Sequence, residues 1–139
     1  MDASAALSWL APSQFTATAD QFARTTRLWM FRAPAVFSWE VYNAMLSLER
    51  RRLISRGGYE AALETLDEFE IQLEPSPSDE DQRALVRVAR ETGLSLFDSA
   101  YFALAITEGC GLASRDGRLL TAARRAGVET FDLNDGAPQ

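Results

Sequence analysis

Histidine and lysine are both absent from the 139-residue sequence, so all 14 of its basic residues are arginine. Without histidine, Ser-His-Asp and Cys-His catalysis are excluded, and so is cleavage of RNA by histidine acid–base chemistry. Without lysine, a P-loop and any Schiff-base mechanism are excluded as well. Any chemistry must therefore rest on carboxylates, hydroxyls, arginine or a metal ion.

Cysteine and long apolar runs are equally scarce. The single cysteine, Cys110, forms neither an internal disulfide nor a multi-cysteine zinc site. No apolar run approaches the roughly 20 residues that are needed to cross a bilayer. No charged leader precedes an apolar stretch, as a secretory signal would require. We therefore expect a cytoplasmic protein that does not associate with a membrane.

The length and composition are typical of one soluble globular domain, with 47% hydrophobic and 24% charged residues. We expect a single domain over residues 1–139, with a disordered tail from about residue 134. The net charge of −6 argues against a surface that coats nucleic acid without specificity, because phosphate binding favours a basic face.

Helical and strand-like apolar patterns alternate along the chain. Helices are predicted over residues 1–10, 15–29, 37–53, 59–69, 78–91, 94–105 and 116–127, the third of them ending at the "RGG" of residues 56–58. Short strands are predicted within 29–35, 69–78, 110–114 and 128–133. Helices that alternate with short apolar strands indicate an α/β fold, with a parallel sheet covered on both faces.

Four acids share one kind of position in this pattern. Asp2, Glu40, Asp98 and Asp116 each lie in the first turn of a predicted helix or in the loop before it. Because loops after parallel strands gather at the carboxyl edge of a sheet, these four acids are expected to meet there. Each acid taken alone also fits a plain helix cap, and Asp98 fits a capping box with Ser95. The joint pattern favours a shared site over four separate caps.

Clustered carboxylates repel one another, and their pKa values rise unless a cation relieves them. Oxygen ligands of this hardness suit Mg²⁺ or Mn²⁺. Such an ion lowers the pKa of bound water and neutralises charge on a phosphoryl group. A metal-dependent mechanism of this kind requires neither histidine nor lysine, which fits the composition.

Four segments carry a resemblance to a known family. "MDASAALSWL", "APAVFSWEVYNAML", "LSLFDSAYFALA" and "LASRDGRLLTAARRAGV" resemble, in order and spacing, the four acidic motifs of PIN-domain ribonucleases. Among these they are most similar to the VapC-type toxins of bacterial toxin–antitoxin pairs. The resemblance implies a PIN-like three-layer α/β/α domain with a short central parallel sheet. It also implies a Mg²⁺- or Mn²⁺-dependent endoribonuclease that cleaves RNA phosphodiesters with metal-activated water.

The resemblance assigns roles to particular residues. Asp2, Glu40, Asp98 and Asp116 would be the four catalytic acids. Asp2, Asp98 and Asp116 would hold the metal, and Glu40 would orient the water or help to bind the ion. Ser4 and Ser114 match the supporting hydroxyl residues of the family. The implied partners are an RNA substrate, a small antitoxin whose tail occupies the site, and a second copy of the chain in a homodimer.

The sequence departs from the family pattern at one point. Family members usually begin with an apolar strand before the first acid, whereas here only Met1 precedes Asp2. Either the true start lies further upstream, or the domain lacks the usual first strand. In the second case Asp2 is expected to lie on a mobile terminus.

The arginine clusters leave two interpretations open. Arg50, Arg51, Arg52 and Arg115 could contact RNA, but a charge run at a helix end is commonly a solvated face that complements the dipole. Two rival functions are also open. One is a noncatalytic PIN-like interaction module without a competent site. The other is a phosphoacceptor receiver domain, which ranks low because such domains use a lysine.

Overall fold

The computed structural model describes residues 1–136, in which seven α-helices alternate with four three-residue strands. The helices are α1 (Ala3–Leu10), α2 (Ala17–Thr25), α3 (Phe37–Arg50), α4 (Arg56–Asp67), α5 (Asp79–Thr92), α6 (Leu96–Glu108) and α7 (Gly117–Arg125). The strands are β1 (Phe31–Ala33), β2 (Ile71–Leu73), β3 (Leu112–Ser114) and β4 (Thr130–Asp132). This arrangement confirms the predicted α/β alternation.

Polar caps set the start of most helices, as their sequences predict. The side chains of six N-cap residues accept hydrogen bonds from the first turn of the helix that follows, namely Asp2, Thr16, Ser55, Ser78, Ser95 and Asp116. Each such bond satisfies a backbone N–H that has no partner within the helix. Two glycines with positive φ, Gly93 and Gly109, end α5 and α6.

The end of α3 differs from the prediction, which placed it at the "RGG" of residues 56–58. The helix ends at Arg50, and Arg52 adopts the left-handed conformation with φ of 59°. The N–H of Leu53 donates to the carbonyl of Leu48 at 2.9 Å, which is the bond that closes a Schellman motif. The two glycines instead lie in the first turn of α4, where the Ser55 hydroxyl accepts from the N–H of Gly58.

The strands form two separate parallel pairs rather than one continuous sheet. β1 pairs with β2, and β3 pairs with β4. Two residues bridge the pairs: the amino group of Met1 donates to the Arg32 carbonyl at 3.0 Å, and the N–H of Asp2 donates to the Ala113 carbonyl at 3.1 Å. The short parallel strands that the sequence predicts are therefore divided into two pairs, because only these two residues occupy the place of a strand between β1 and β3.

The mobile terminus considered for Asp2 is also wrong. Met1 is 6% exposed and Asp2 is 4% exposed, so both residues belong to the interior. Hydrogen bonds on both sides hold their backbone between the two strand pairs. The backbone of Asp2 is therefore held in place and is not part of a mobile terminus.

The core forms around α1, whose small residues permit close approach of its neighbours. Ala5 and Ala6 are at most 1% exposed, and α1 contacts α2, α3, α4 and β3. Val41 and Met45 of α3 and Leu119 of α7 are fully buried. Burial of this apolar surface supplies the main driving force that holds the helices against the strands.

Two residues of the predicted C-terminal tail make hydrogen bonds with the rest of the domain. The Asn134 side chain donates to the carbonyl of Arg115 at 3.0 Å, and Asp135 accepts from the N–H of Thr18 at 3.0 Å. The disordered tail from about residue 134 stays a prediction, and residues 137–139 lie outside the described residues. None of the helices described is long and apolar enough to cross a membrane.

Candidate active site

Asp2 is the innermost of the four predicted acids. Its Oδ1 accepts the N–H of Ala5 at 2.9 Å, and its Oδ2 accepts the Ser114 hydroxyl at 2.6 Å. The Ser4 hydroxyl lies 2.9 Å from Oδ1 and 3.0 Å from Oδ2. Burial raises the pKa of Asp2, and the bonds from Ser114, Ala5 and Ser4 oppose that rise. The carboxylate is thus held in one orientation, with its charge only partly compensated.

The two predicted supporting serines connect Asp2 to the loop after β3. The Ser114 hydroxyl accepts from the N–H of Asp116 at 2.9 Å while it donates to Asp2. The Ser4 hydroxyl accepts from the N–H of Arg115 at 2.9 Å. Each serine hydroxyl therefore donates its proton to Asp2 and accepts a backbone N–H from the loop that carries Asp116. The backbone that carries Asp116 is positioned by these bonds.

Asp116 combines the cap and the site position that its sequence predicted. It is the N-cap of α7, and its Oδ1 accepts the N–H groups of Arg118 at 2.8 Å and Leu119 at 3.1 Å. Both capping bonds use the same oxygen, so Oδ2 keeps its lone pairs. Asp116 lies two residues after the carboxyl end of β3, where ligand-binding loops of parallel sheets lie.

Glu40 lies in the first turn of α3, and Tyr101 of α6 donates its hydroxyl proton to Glu40 Oε2. Burial raises the pKa of Glu40, the bond from Tyr101 opposes that rise, and the charges of Asp98 and Asp2 add to it. The phenol of Tyr101 is 3% exposed, and burial together with Glu40 raises its pKa far above the usual range. Tyr101 therefore stays protonated and acts as a hydrogen-bond donor.

Asp98 occupies the third position of α6, and the Ser95 hydroxyl accepts its backbone N–H at 3.0 Å. Burial raises the pKa of Asp98, the Ser95 hydroxyl opposes the rise, and the charge of Asp116 adds to it. The N-cap of α6 is therefore Ser95, and Asp98 lies in the first turn that Ser95 caps while it interacts with the charge of Asp116.

The four acids are electrostatically coupled. Asp98 and Asp2 act on Glu40, and Asp116 acts on Asp98, so each acid has at least one like-charged neighbour within interaction range. Over residues 1–136, the ion pairs of arginine involve other acids, namely Asp20, Glu74, Glu108 and Asp132. Within these residues no arginine ion pair relieves the mutual repulsion of the four acids, and the amino group of Met1 acts on Asp2 alone.

These acids fit a hard divalent cation by their chemistry, since all of them offer carboxylate oxygens. Within the described part of the chain, however, no three or more Cys, Asp or Glu side chains are arranged to hold a metal ion. The fold brings Asp2, Asp98 and Asp116 into one neighbourhood, but it does not close them into a ligand set. Side-chain rotation of the partly exposed Asp98 and Asp116 would have to complete such a set.

Of the four arginines considered for RNA contact, three lie at the far end of α3 and Arg115 lies next to Asp116. Arg50 is ten residues after Glu40 on α3, which places it about 15 Å along the helix axis from that acid. Arg51 and Arg52 follow at the same distal end. Arg115 donates to the carbonyl of Gln14 at 2.9 Å and to the Asn134 side chain at 3.3 Å, so it serves to fix loops.

Two residues near the acids were not assigned a role from sequence. The apolar spacing of α6 predicts only that Tyr101 is a core residue. The D-x-x-Y spacing places its ring one helical turn after Asp98, and this spacing could have indicated a role at the site. Arg118 lies exposed in the first turn of α7, two residues after Asp116. A cation is disfavoured at a helix N-terminus, so its position there is itself a signal.

The fold and site define a class of protein. It is a parallel α/β domain in which four electrostatically coupled carboxylates lie after strands or at the starts of helices. Comparisons with known proteins agree with this class. No curated protein matches the chain. The crystal structure of PAE2754 from Pyrobaculum aerophilum superimposes with a TM-score of 0.64 at 21% identity, over 94% of this chain and 86% of that one, which establishes similarity of fold. The PIN domain family matches residues 1–125, and the chain belongs to that family, whose members are generally metal-dependent nucleases.

Replacing Asp98 with asparagine should stabilise the metal-free protein. Since the folded-state pKa of Asp98 is raised, its stabilising contribution exists only at acid pH and is lost as pH rises through that pKa. At pH 7 in EDTA, we expect Asp98→Asn to raise Tm by about 2–4 °C, and the gain should shrink towards pH 4. Thermal unfolding followed by circular dichroism measures both effects.

Asp81 provides a matched control, because it also occupies the third position of a serine-capped helix. It makes a reciprocal capping box with Ser78 on an exposed surface, away from the four acids. Asp81→Asn should therefore lower Tm at pH 7. A shift of the same sign and size for both variants would show that Asp98 is only a cap.

Proposed function

We propose that this protein is a metal-dependent endoribonuclease and the toxin component of a bacterial toxin–antitoxin pair. The observation that carries the proposal is the set of four coupled carboxylates, which no arginine neutralises in the described structure. Membership of the PIN domain family supports nuclease chemistry. The toxin assignment rests on the similarity of the four motifs to VapC-type toxins.

Asp2, Asp98 and Asp116 are the residues that would hold Mg²⁺ or Mn²⁺. When bound, such an ion lowers the pKa of water and neutralises charge on phosphoryl oxygens. The hydroxyls of Ser4 and Ser114 hold Asp2 in a fixed orientation, so this carboxylate needs little reorganisation. Asp116 retains one carboxylate oxygen beyond its capping bonds.

Glu40 is suited to receive the proton of the attacking water. Its pKa is raised by burial and by Asp98 and Asp2, which makes the carboxylate a stronger base than an exposed glutamate. The hydroxyl of Tyr101 holds Oε2 and limits that rise. Tyr101 therefore acts as a positioning residue that keeps Glu40 ionised and fixes its orientation.

The RNA strand is proposed to follow a groove beside Asp116. A cavity of about 600 Å³ runs along α7 and is lined by Gly93, Phe102, Arg118 and Arg125, among others. The two arginines are exposed and seven residues apart, so they lie on one face of α7 about 10 Å from each other. Neither takes part in an ion pair within residues 1–136. In this proposal they contact successive phosphates of the strand as it leaves the acids along α7.

The antitoxin is proposed to cover an apolar surface next to the acids. Trp39 is 80% exposed and Phe97 is 53% exposed, and they directly precede Glu40 and Asp98 in sequence. Together with Val36 they line a cavity of about 370 Å³. A partner that buries these rings also blocks access to the site. A homodimer is the expected state of the free toxin.

Replacing Asp98 with alanine should abolish both RNA cleavage and growth arrest, because it removes a metal ligand from the cluster. The measurements are cleavage of labelled RNA with Mg²⁺ or Mn²⁺, growth after induced expression, and calorimetric titration of the metal. Metal binding should also be lost in Asp116→Ala. Undiminished cleavage by Asp98→Ala would refute the assignment. A folded wild-type protein that takes up neither cation would favour the noncatalytic interaction module instead.

Removing the Tyr101 hydroxyl should slow the reaction without weakening RNA binding. Loss of one hydrogen bond to a charged group corresponds to roughly a tenfold to hundredfold fall in kcat, with KM little changed. Since that bond lowers the pKa of Glu40, the acid limb of the pH–rate profile should move to higher pH in Tyr101→Phe. Tyr42→Phe on the exposed side of α3 is the control, and a profile that does not move would contradict the positioning role.

Replacing Arg118 and Arg125 with glutamine should weaken RNA binding and reduce its salt dependence. Each lost phosphate contact is expected to lower the slope of log K against log salt by about 0.7 on single-stranded RNA. Fluorescence anisotropy in an Asp98→Ala background measures binding without cleavage. The control is Arg50→Gln with Arg51→Gln at the far end of α3. If the slope of log K against log salt changed for the Arg50 and Arg51 variant and not for the Arg118 and Arg125 variant, the proposed path of the RNA along α7 would be contradicted.

A further inference from the structure

The peptide unit between Arg115 and Asp116 is held by side chains at both of its polar ends. Its N–H donates to the Ser114 hydroxyl at 2.9 Å, and its carbonyl accepts from Nδ2 of Asn134 at 3.0 Å. Because the N–H and the C=O of a planar trans peptide point in opposite directions, bonds at both ends fix the rotation of that plane. The Cα of Asp116 belongs to the same plane, so these two bonds set the position from which its carboxylate extends.

The side chain of Asn134 is fully engaged in this arrangement. Nδ2 also donates to Oδ1 of Asp132 at 2.9 Å, while Oδ1 accepts from Nε of Arg115 at 3.3 Å. Since Nδ2 faces two oxygens and Oδ1 faces an N–H group, the partners match one orientation of the amide. The position therefore needs a group that donates two hydrogen bonds and accepts one, which neither a carboxylate nor a hydroxyl can do.

The backbone before Asn134 is anchored to the interior. The N–H of Leu133 donates to the carbonyl of Ser114 at 3.0 Å, which extends the pairing of β3 with β4 by one residue. The Thr16 hydroxyl donates to the carbonyl of Leu133 at 2.6 Å, and the Leu133 side chain is fully buried. Asn134 thus directly follows a fixed residue, and its amide can hold the loop in turn.

Asn134 lies outside the motifs that indicated the site. The PIN domain family matches residues 1–125, and the bond from Asn134 to the Arg115 carbonyl spans 19 positions of sequence. Ser114 holds the 115–116 peptide at its N–H and also donates to Asp2, whereas Asn134 holds the same peptide at its carbonyl. A residue of the C-terminal segment therefore completes the support that the serines begin.

On the basis of the function proposed above, we propose that Asn134 is a positioning residue for metal binding, which holds the 115–116 peptide so that the carboxylate of Asp116 is preorganised as a ligand. Oδ1 of Asp116 makes the capping bonds of α7, and Oδ2 is the oxygen left for a cation. A rotation of the peptide plane would displace both oxygens. Groups that orient a metal ligand commonly contribute about tenfold to hundredfold to metal affinity, since the ligand then needs less reorganisation.

The test compares the full chain with Asn134→Ala and Asn134→Asp, whose folding is checked by circular dichroism. Alanine removes both donors, and aspartate keeps the size of the side chain but donates nothing. Calorimetric titration with Mn²⁺ should show an affinity that is weaker by about tenfold or more in both variants, although the added charge of aspartate by itself favours a cation.

A second measurement needs no metal. Hydrogen exchange followed by NMR on the metal-free protein reports how firmly the loop is held. In both Asn134 variants the N–H of Asp116 should exchange about tenfold faster, because its peptide is no longer held at the carbonyl.

Asp135→Ala is the matched control, since it loosens the same segment without a contact to the 115–116 peptide. Oδ1 of Asp135 accepts the N–H of Thr18 at 3.0 Å, at the start of α2. We expect this variant to lower Tm while it leaves the affinity for Mn²⁺ and the exchange of the Asp116 N–H unchanged.

Two results would overturn the assignment. One is an unchanged Mn²⁺ affinity or an unchanged Asp116 exchange rate in both Asn134 variants. The other is an equal loss in Asp135→Ala, which would show that Asn134 only anchors the C-terminal segment. If the wild-type protein takes up no Mn²⁺, the proposed function fails separately. The exchange rate then decides alone, since faster exchange supports Asn134 as the group that holds the loop and unchanged exchange refutes it.

Discussion

The structure depends on how the backbone and carboxylate of Asp2 are held between two pairs of strands. Its N–H joins β3, its neighbour Met1 joins β1, and its side chain accepts bonds from Ser4 and Ser114. A buried carboxylate without such donors would be strongly destabilising. These contacts therefore join the two strand pairs, cap the first turn of α1 and position the loop that carries Asp116.

The other three acids lie near Asp2 in this arrangement, and their mutual repulsion makes folding less favourable. Helix starts and strand ends bring Glu40, Asp98 and Asp116 towards Asp2, where burial and, to a smaller extent, like charges raise the pKa of Glu40 and Asp98. Capping bonds and the hydroxyl of Tyr101 offset part of this repulsion. Such stored repulsion is typical of sites that bind a cation, and it gives the cluster a physical reason to exist beyond capping.

Local signals predicted most of the elements. Caps such as Ser78 and Asp116, and the apolar spacing of α3, depend on neighbours within one or two helical turns, which the sequence displays directly. The end of α3 was misplaced because arginine took the left-handed position usually filled by glycine. The contacts of Arg115 with Gln14 and Asn134 could not be predicted, because these partners are distant from it in sequence.

The sequence by itself determined the alternation of helices and strands, since caps and apolar spacing act between residues that are close in sequence, and the order of its four motifs carried the resemblance to the family. The joint role of the four acids stays a prediction from the sequence. Only the tertiary structure decided that the sheet divides into two pairs bridged by Met1 and Asp2, and that Tyr101 bonds to Glu40. It also decided that Arg50 lies far from the acids while Arg118 lies beside them. These outcomes depend on contacts between residues tens of positions apart, and periodicity carries no information about such contacts.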